Sequence, residues 1–414
     1  MKLFYISFLF LISFLIRVFI WTYIRNFIFL MTYDTSLYLY VGLKYVDGLI
    51  RYRDLKVLLL NYEHSPLAKF IIGFSILLFK NIDYFQACVI TFSIMASIVG
   101  YIIYKIGITY DENVGIFSWM LYIFDPFSIQ WTMAWLDIPM LTFLIIGIYL
   151  LYYSNIRYRE ILSGIMFGLS FLCKYTSILI ILSLMILYHL FKIKNIRLSL
   201  KPLIIAFIIL LANPQYWIGN DFILKIIERN REVGNISFPI AFYPYFKPLN
   251  IFWIFPYIWC FSYCNIYTLP TFIPIICFIA LLYRKFSGKN LKIDLKIILC
   301  LTSTLMVLSL LPKHYVYYNI ILMPPLILLA VNIILGSKYS KKESIFVKIV
   351  KIPVGFLIAL SPLQLIISII FPTGWLFIWD IIINQQIMEF HSIIALILTF
   401  ISFIWSIIFT HVFL

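Results

Sequence analysis

Apolar runs of about 20 residues recur along almost the whole chain, and short basic loops separate them. A run of that length is what a helix needs to cross the hydrocarbon core of a bilayer. The pattern predicts a first helix over about 3–26. A long polar loop follows, and then crossings near 84–104, 113–133, 138–154, 160–173, 175–191, 202–218, 252–283, 295–312, 315–336, 352–371 and 392–413. Between the first helix and residue 84 lies one shorter apolar stretch, PLAKFIIGFSILLFK. Pro66 suits a first helical position. Leu67, Phe70, Ile71, Phe74, Leu77 and Leu78 fall at helical spacing on one face. About 13 residues are short for a span, so 66–80 is expected to lie along the membrane surface.

Loop charges support this assignment. If 66–80 does not cross and the N-terminus is inside, the inner loops hold Lys105, Arg157, Arg159, Lys192, Lys194, Arg197, Lys201, Arg284, Lys285, Lys289, Lys292, Lys296, Lys338, Lys341, Lys342, Lys348 and Lys351. Short basic loops favour the cytoplasmic side. A crossing at 66–80 would turn all of them outward. The expected fold is an all-α polytopic membrane protein, a bundle of about 12 transmembrane helices, with interfacial helices in the first outer loop, 27–83. That loop is itself basic (Lys44, Arg51, Arg53, Lys56, Lys69, Lys80), and the several inner loops outweigh it. A second outer loop, 219–250, opens as an amphipathic helix pattern and ends in a Pro and aromatic cluster. It suits either an interfacial lid or a plain connection.

Composition narrows the class. The chain is 64% hydrophobic and 12% charged, where soluble domains carry about 25% charged residues. Membrane barrels alternate weakly and lack long solid apolar runs, so they are excluded. A net charge of +15 would suggest nucleic acid in a soluble protein. Here topology accounts for it, and no nucleic-acid partner is expected. Six cysteines sit mostly inside apolar runs, and Cys260 and Cys264 have neither zinc spacing nor a disulfide framework. Arg17 interrupts the first run, which lacks a small-residue cleavage site and reads as a retained helix. A cation there is expected to face the bundle or to snorkel.

Candidate chemistry gathers on the outer face: Asp34, Glu63, His64, Asp137, Lys174, Lys313 and His314, from segments far apart in sequence. Asp34 lies just past the first helix. It suits a general base or a metal ligand, or a helix N-cap. Glu63 and His64 are capable of holding a divalent metal or positioning a phosphate; ordinary helix-terminus electrostatics is the other reading. Asp137 stands at a helix start, where capping is commonplace. Lys174, between two short apolar runs, needs an anionic partner, and a phosphate or Asp137 would serve. Lys313 reads as a snorkelling side chain or as a phosphate clamp.

These residues sit in motifs that resemble the GT-C glycosyltransferases, in particular the superfamily of protein O-mannosyltransferases and aminoarabinose transferases. YDTSLYLYVGLKYVDG resembles the family's first-loop acid segment. YEHSPLAKF resembles its His-Pro-Pro-Leu-(Gly/Ala)-Lys segment, with Ser65 in place of the first Pro. WLDIPMLTFL, GLSFLCKYTSILI and LLPKHYVYYNIILMPPLILL follow in the family's order. The resemblance covers residues 1–220 well and the rest loosely. It implies a catalytic transmembrane module over 1–220 and variable C-terminal helices over 221–414. It implies an enzyme of the cell membrane, N-terminus cytoplasmic and active site extracellular. Such an enzyme transfers mannose or a related sugar from a polyprenyl- or dolichyl-phosphate donor to a protein, lipid or glycan acceptor. In that reading Asp34 is the base, Lys174 with Lys313 or His314 holds the donor phosphate, and Glu63, His64 and Asp137 support the site. The first-loop acid is Asp-Thr, where protein mannosyltransferases often carry Asp-Glu. The competing class is a transporter or flippase of a lipid-linked or anionic solute with Arg17 and Lys174 as contacts; such proteins place charges near the midplane and show repeated halves.

Overall fold

The computed structural model describes residues 2–24, 33–61, 64–133, 135–190, 200–218, 228, 273, 276–277, 280–281, 295–310 and 316–335. Among the described residues the regular structure is helical throughout. The chain divides into two compact units. One takes Met1–Thr22, Met31–Ile102 and Trp131–Ile236; the other takes Tyr23–Leu30, Ile103–Gln130 and Ser237–Leu414.

The long apolar helices α1 (Lys2–Ile24) and α4 (Tyr84–Gly107) lie in the first unit except for their last residues. At 1.5 Å per residue a 24-residue helix is about 36 Å long, and α4 has the length and hydropathy of a complete span. Arg17 faces inward on α1 and is fully buried. It donates to the Ser13 carbonyl at 3.0 Å and to Ser13 Oγ at 2.7 Å. Ser97 of α4 donates to the same Ser13 hydroxyl at 3.1 Å. Of the two placements expected for Arg17, the bundle interior is the one adopted.

The remaining helices of this unit are α2 (Tyr33–Asp47), α3 (Leu67–Leu78), α7 (Asp137–Tyr152), α8 (Arg159–Cys173), α9 (Thr176–Leu190), α10 (Lys201–Leu211) and α11 (Gln215–Ile218). Here α3 realises the expected helix at 66–80, and it packs on α2 and α8. Its buried side mixes small and polar residues with two isoleucines: Ala68, Lys69, Ile72, Gly73, Ser75 and Ile76. Phe74 and Leu78 point outward. Lipid tails are as apolar as leucine, so helices in a membrane associate through close packing rather than by hiding their greasiest face. At the α2–α3 crossing a Cβ on Gly73 would lie 2.2 Å from the Gly42 carbonyl oxygen.

The same rule joins α8 to its neighbours. Gly164 and Gly168 form a G-x-x-x-G pair on the side facing α10. A Cβ at Gly164 would sit 2.9 Å from the Pro202 carbonyl oxygen, and one at Gly168 would sit 2.7 Å from Ile209 Cβ. Toward α7, Ser163 donates to the Gly147 carbonyl at 2.9 Å and Ser170 to the Met140 carbonyl at 3.0 Å. Gly164→Ala is therefore expected to cost about 1–3 kcal/mol by overpacking. The cost should be read as a lowered thermal midpoint of the detergent-solubilised protein.

The second unit contains α5 (Glu112–Phe124), α6 (Pro126–Gln130), α12 (Leu295–Leu310) and α13 (Met323–Leu335), with a 3-10 segment at Val316–Leu322. The 113–133 run is not one helix. Asp125 precedes a proline, so its backbone is extended (ψ 115°). Its buried carboxylate accepts from Ser128 N–H and Oγ–H, both at 2.7 Å, and starts α6. Likewise 202–218 breaks at Asn213-Pro214 into α10 and α11. The expected crossings at 252–283, 352–371 and 392–413 and the loop at 219–250 lie wholly or almost wholly outside the described residues.

Candidate active site

The residues that converge in the first unit come from four places: α2, the segment before α3, the start of α7 and the break between α8 and α9. The break exists because α8 ends at Cys173 and Lys174 is extended (φ −158°, ψ 129°) before α9 begins. Ser177 closes the turn by donating to the Lys174 carbonyl at 2.9 Å.

Lys174 is buried, and its ammonium donates to both oxygens of Asp137, at 2.8 and 2.9 Å. Asp137 is 2% exposed. Two partners were open for Lys174 from sequence, and the structure supplies Asp137. Asp137 does not cap its helix: the N-cap position is Leu136, with no side-chain cap. Its carboxylate turns to the lysine instead, while keeping a favourable place in the first turn of α7. Neither charge would be tolerable there alone.

His64 is near enough to this pair for the Lys174 charge to act on it. Burial first, and then the positive charges of Lys69 and Lys174, hold its pKa well below the ordinary imidazole value of 6.5. The ring packs edge-on against Tyr38 of α2, centroids 6.2 Å apart. The sign of the linkage follows. An unfolded His64 binds a proton below about pH 6.5, while the folded one resists it, so stability contributed above that pH is lost as pH falls. His64→Gln should flatten the decline of the thermal midpoint between pH 7 and pH 5.

Lys69 was legible only as a loop charge and as the last residue of a motif. It is fully buried. Its ammonium donates to the carbonyls of Asn61 and, at 2.7 Å, His64. It also stands over the Tyr45 ring, 5.7 Å from the centroid. Asn61 and His64 thus share one cation. Ser65, where the related motif has proline, donates to the Phe171 carbonyl of α8 at 2.9 Å. That bond ties the segment to the helix ending at Lys174.

The structure pairs Asp137 with Lys174 and places His64 within reach of the Lys174 charge. Asp34 lies in the first turn of α2, one turn ahead of Tyr38, with its side chain outside the described set. Glu63, Lys313 and His314 are outside the described residues. Among the described residues no group of three metal-capable side chains occurs. The residues that sequence reasoning passed over are Lys69, Tyr45 and Gln215. Gln215 had one faint signal, a lone amide after Asn-Pro in an apolar run.

The profile of the family described as dolichyl-phosphate-mannose-protein mannosyltransferase matches residues 63–217. No curated protein matches the chain. Among solved structures the chain shows similarity to ArnT from Cupriavidus metallidurans bound to undecaprenyl phosphate. The identity is 10%, with 89% of this chain and 74% of that chain covered and a TM-score of 0.44. Residues 63–217, the stretch that holds His64, Asp137 and Lys174, are thus similar to the mannosyltransferase family that their motifs resemble.

Proposed function

We propose that the chain transfers a glycosyl unit, mannose or a related sugar, from a polyprenyl- or dolichyl-phosphate donor to a hydroxyl of a protein, lipid or glycan at the outer face of the cell membrane. The observation that carries this reading is the buried Lys174–Asp137 pair, inside the segment the family profile matches. A buried ammonium oriented by a carboxylate is suited to a phosphate leaving group, whose negative charge grows as the bond to the anomeric carbon breaks.

In this reading Asp34 takes the proton of the acceptor hydroxyl, and that oxygen bonds to the anomeric carbon. The carbon–oxygen bond to phosphate breaks, and polyprenyl phosphate departs with its electron pair. Lys174, with Lys313 or His314, holds the departing phosphate. Asp137 keeps Lys174 charged and aimed, and Glu63 with His64 shapes the phosphate pocket. The outer face lacks nucleotide sugars, so a lipid-borne donor fits the location. The test is a donor panel on membranes containing the chain, with radiolabelled polyprenyl-phosphate mannose first. Label appearing in protein or in a new lipid or glycan product supports the reading and names the acceptor. No transfer from any lipid-phosphate sugar overturns it.

A further inference from the structure

The segment that ends in His64 and Ser65 is pinned at its other end by a buried hydrogen-bond cluster. The Tyr45 hydroxyl of α2 lies 3.0 Å from the Leu58 carbonyl and 2.7 Å from the Leu60 carbonyl. The Gln215 side-chain amide donates to that same Leu58 carbonyl at 2.7 Å and to Tyr45 Oη at 3.3 Å. Asn213 settles which way the Gln215 amide points. Asn213 Nδ2 donates to Gln215 Oε1 at 3.3 Å, and Asn213 Oδ1 accepts the Gln215 backbone N–H at 3.1 Å. The donor end of Gln215 is left facing Leu58 and Tyr45. Tyr45 and Gln215 are fully buried and Asn213 nearly so. A buried amide is costly unless its groups are satisfied, and this one is satisfied by Asn213 beside it and by Tyr45 and Leu58 far away in sequence. The corner that holds it exists only because Asn213-Pro214 breaks the apolar run.

We infer that Tyr45 and Gln215 form a latch that fixes Leu58–Asn61 on the α10–α11 corner and so, through the Lys69 ammonium that the Asn61 and His64 carbonyls share, positions His64 near Lys174. They are positioning residues and touch no substrate. The inference rests on the functional reading above for its effect on transfer, but not for its effect on the loop.

Tyr45→Phe and Gln215→Met keep volume and remove the bonds. In the full chain in lipid nanodiscs, each is expected to speed amide hydrogen exchange over residues 58–65 about tenfold and leave α7 and α8 unchanged. Transfer, as kcat/KM for the donor, should fall about tenfold in each. The double variant should fall little further, because either loss releases the same turn. Unchanged exchange at 58–65 overturns the latch. So does exchange that rises equally in α7 and α8, which marks plain loss of packing. If the wild-type chain transfers no sugar from any lipid-phosphate donor, the functional reading fails, and the exchange result decides the latch by itself.

Discussion

Asp34→Asn is expected to lower glycosyl transfer by about 10²- to 10⁴-fold while the protein still inserts and folds. A positioned general base contributes on that order, and asparagine keeps the shape but cannot accept the acceptor's proton. The residue lies in the first turn of α2, one turn ahead of the Tyr38 that packs on His64. That puts its backbone near the segment of the candidate site, and a loss confined to the chemical step is the signature to look for. The donor KM should stay within a few-fold of wild type, since the proposed base contacts the acceptor and not the donor phosphate. A variant that keeps full activity removes Asp34 from the mechanism.

Lys174→Met is the second large effect, and it is twofold. It leaves Asp137 as a buried carboxylate without the ammonium that donates to both of its oxygens. Breaking a buried pair on one side costs about 3–5 kcal/mol, so a lowered yield of folded protein is expected. Asp137→Leu in the same chain removes the stranded charge as well. Replacement of both partners by apolar groups of similar volume is often neutral. The double variant should regain most of the thermal stability and none of the transfer. That split separates the two roles of the pair. A double variant that recovers activity with its fold shows that the pair is structural, and the proposed phosphate contact then fails.

Much of this was readable in the residues, and the unread part has a physical cause. Lys174 in an apolar hairpin demanded an anion, and Asp137 was one of two named candidates. The break at Lys174 fell where the two short runs meet. The helix at 67–78 was legible from its spacing, but not its facing. Periodicity marks the apolar stripe, yet Phe74 and Leu78 of that stripe are exposed while Phe70 packs on Tyr45 and Ala68, Lys69 and Gly73 are buried. The interruption at Asp125-Pro126 was written in the dipeptide, yet mean hydropathy over the run hid it. Tyr45 and Gln215 are 170 residues apart. Nothing local in either segment announces that one will bond the other, because tertiary packing alone creates that corner.

The central claim is bond breaking at a lipid-phosphate sugar, and the most direct measurement follows the leaving group. The purified chain in nanodiscs receives a doubly labelled donor, with one label on the sugar and one on the polyprenyl phosphate. Equal amounts of free polyprenyl phosphate and new glycoside are expected, and Asp34→Asn should abolish both together. Donor that stays intact, or that only changes leaflet, contradicts the account and describes a carrier of lipid-linked sugar instead.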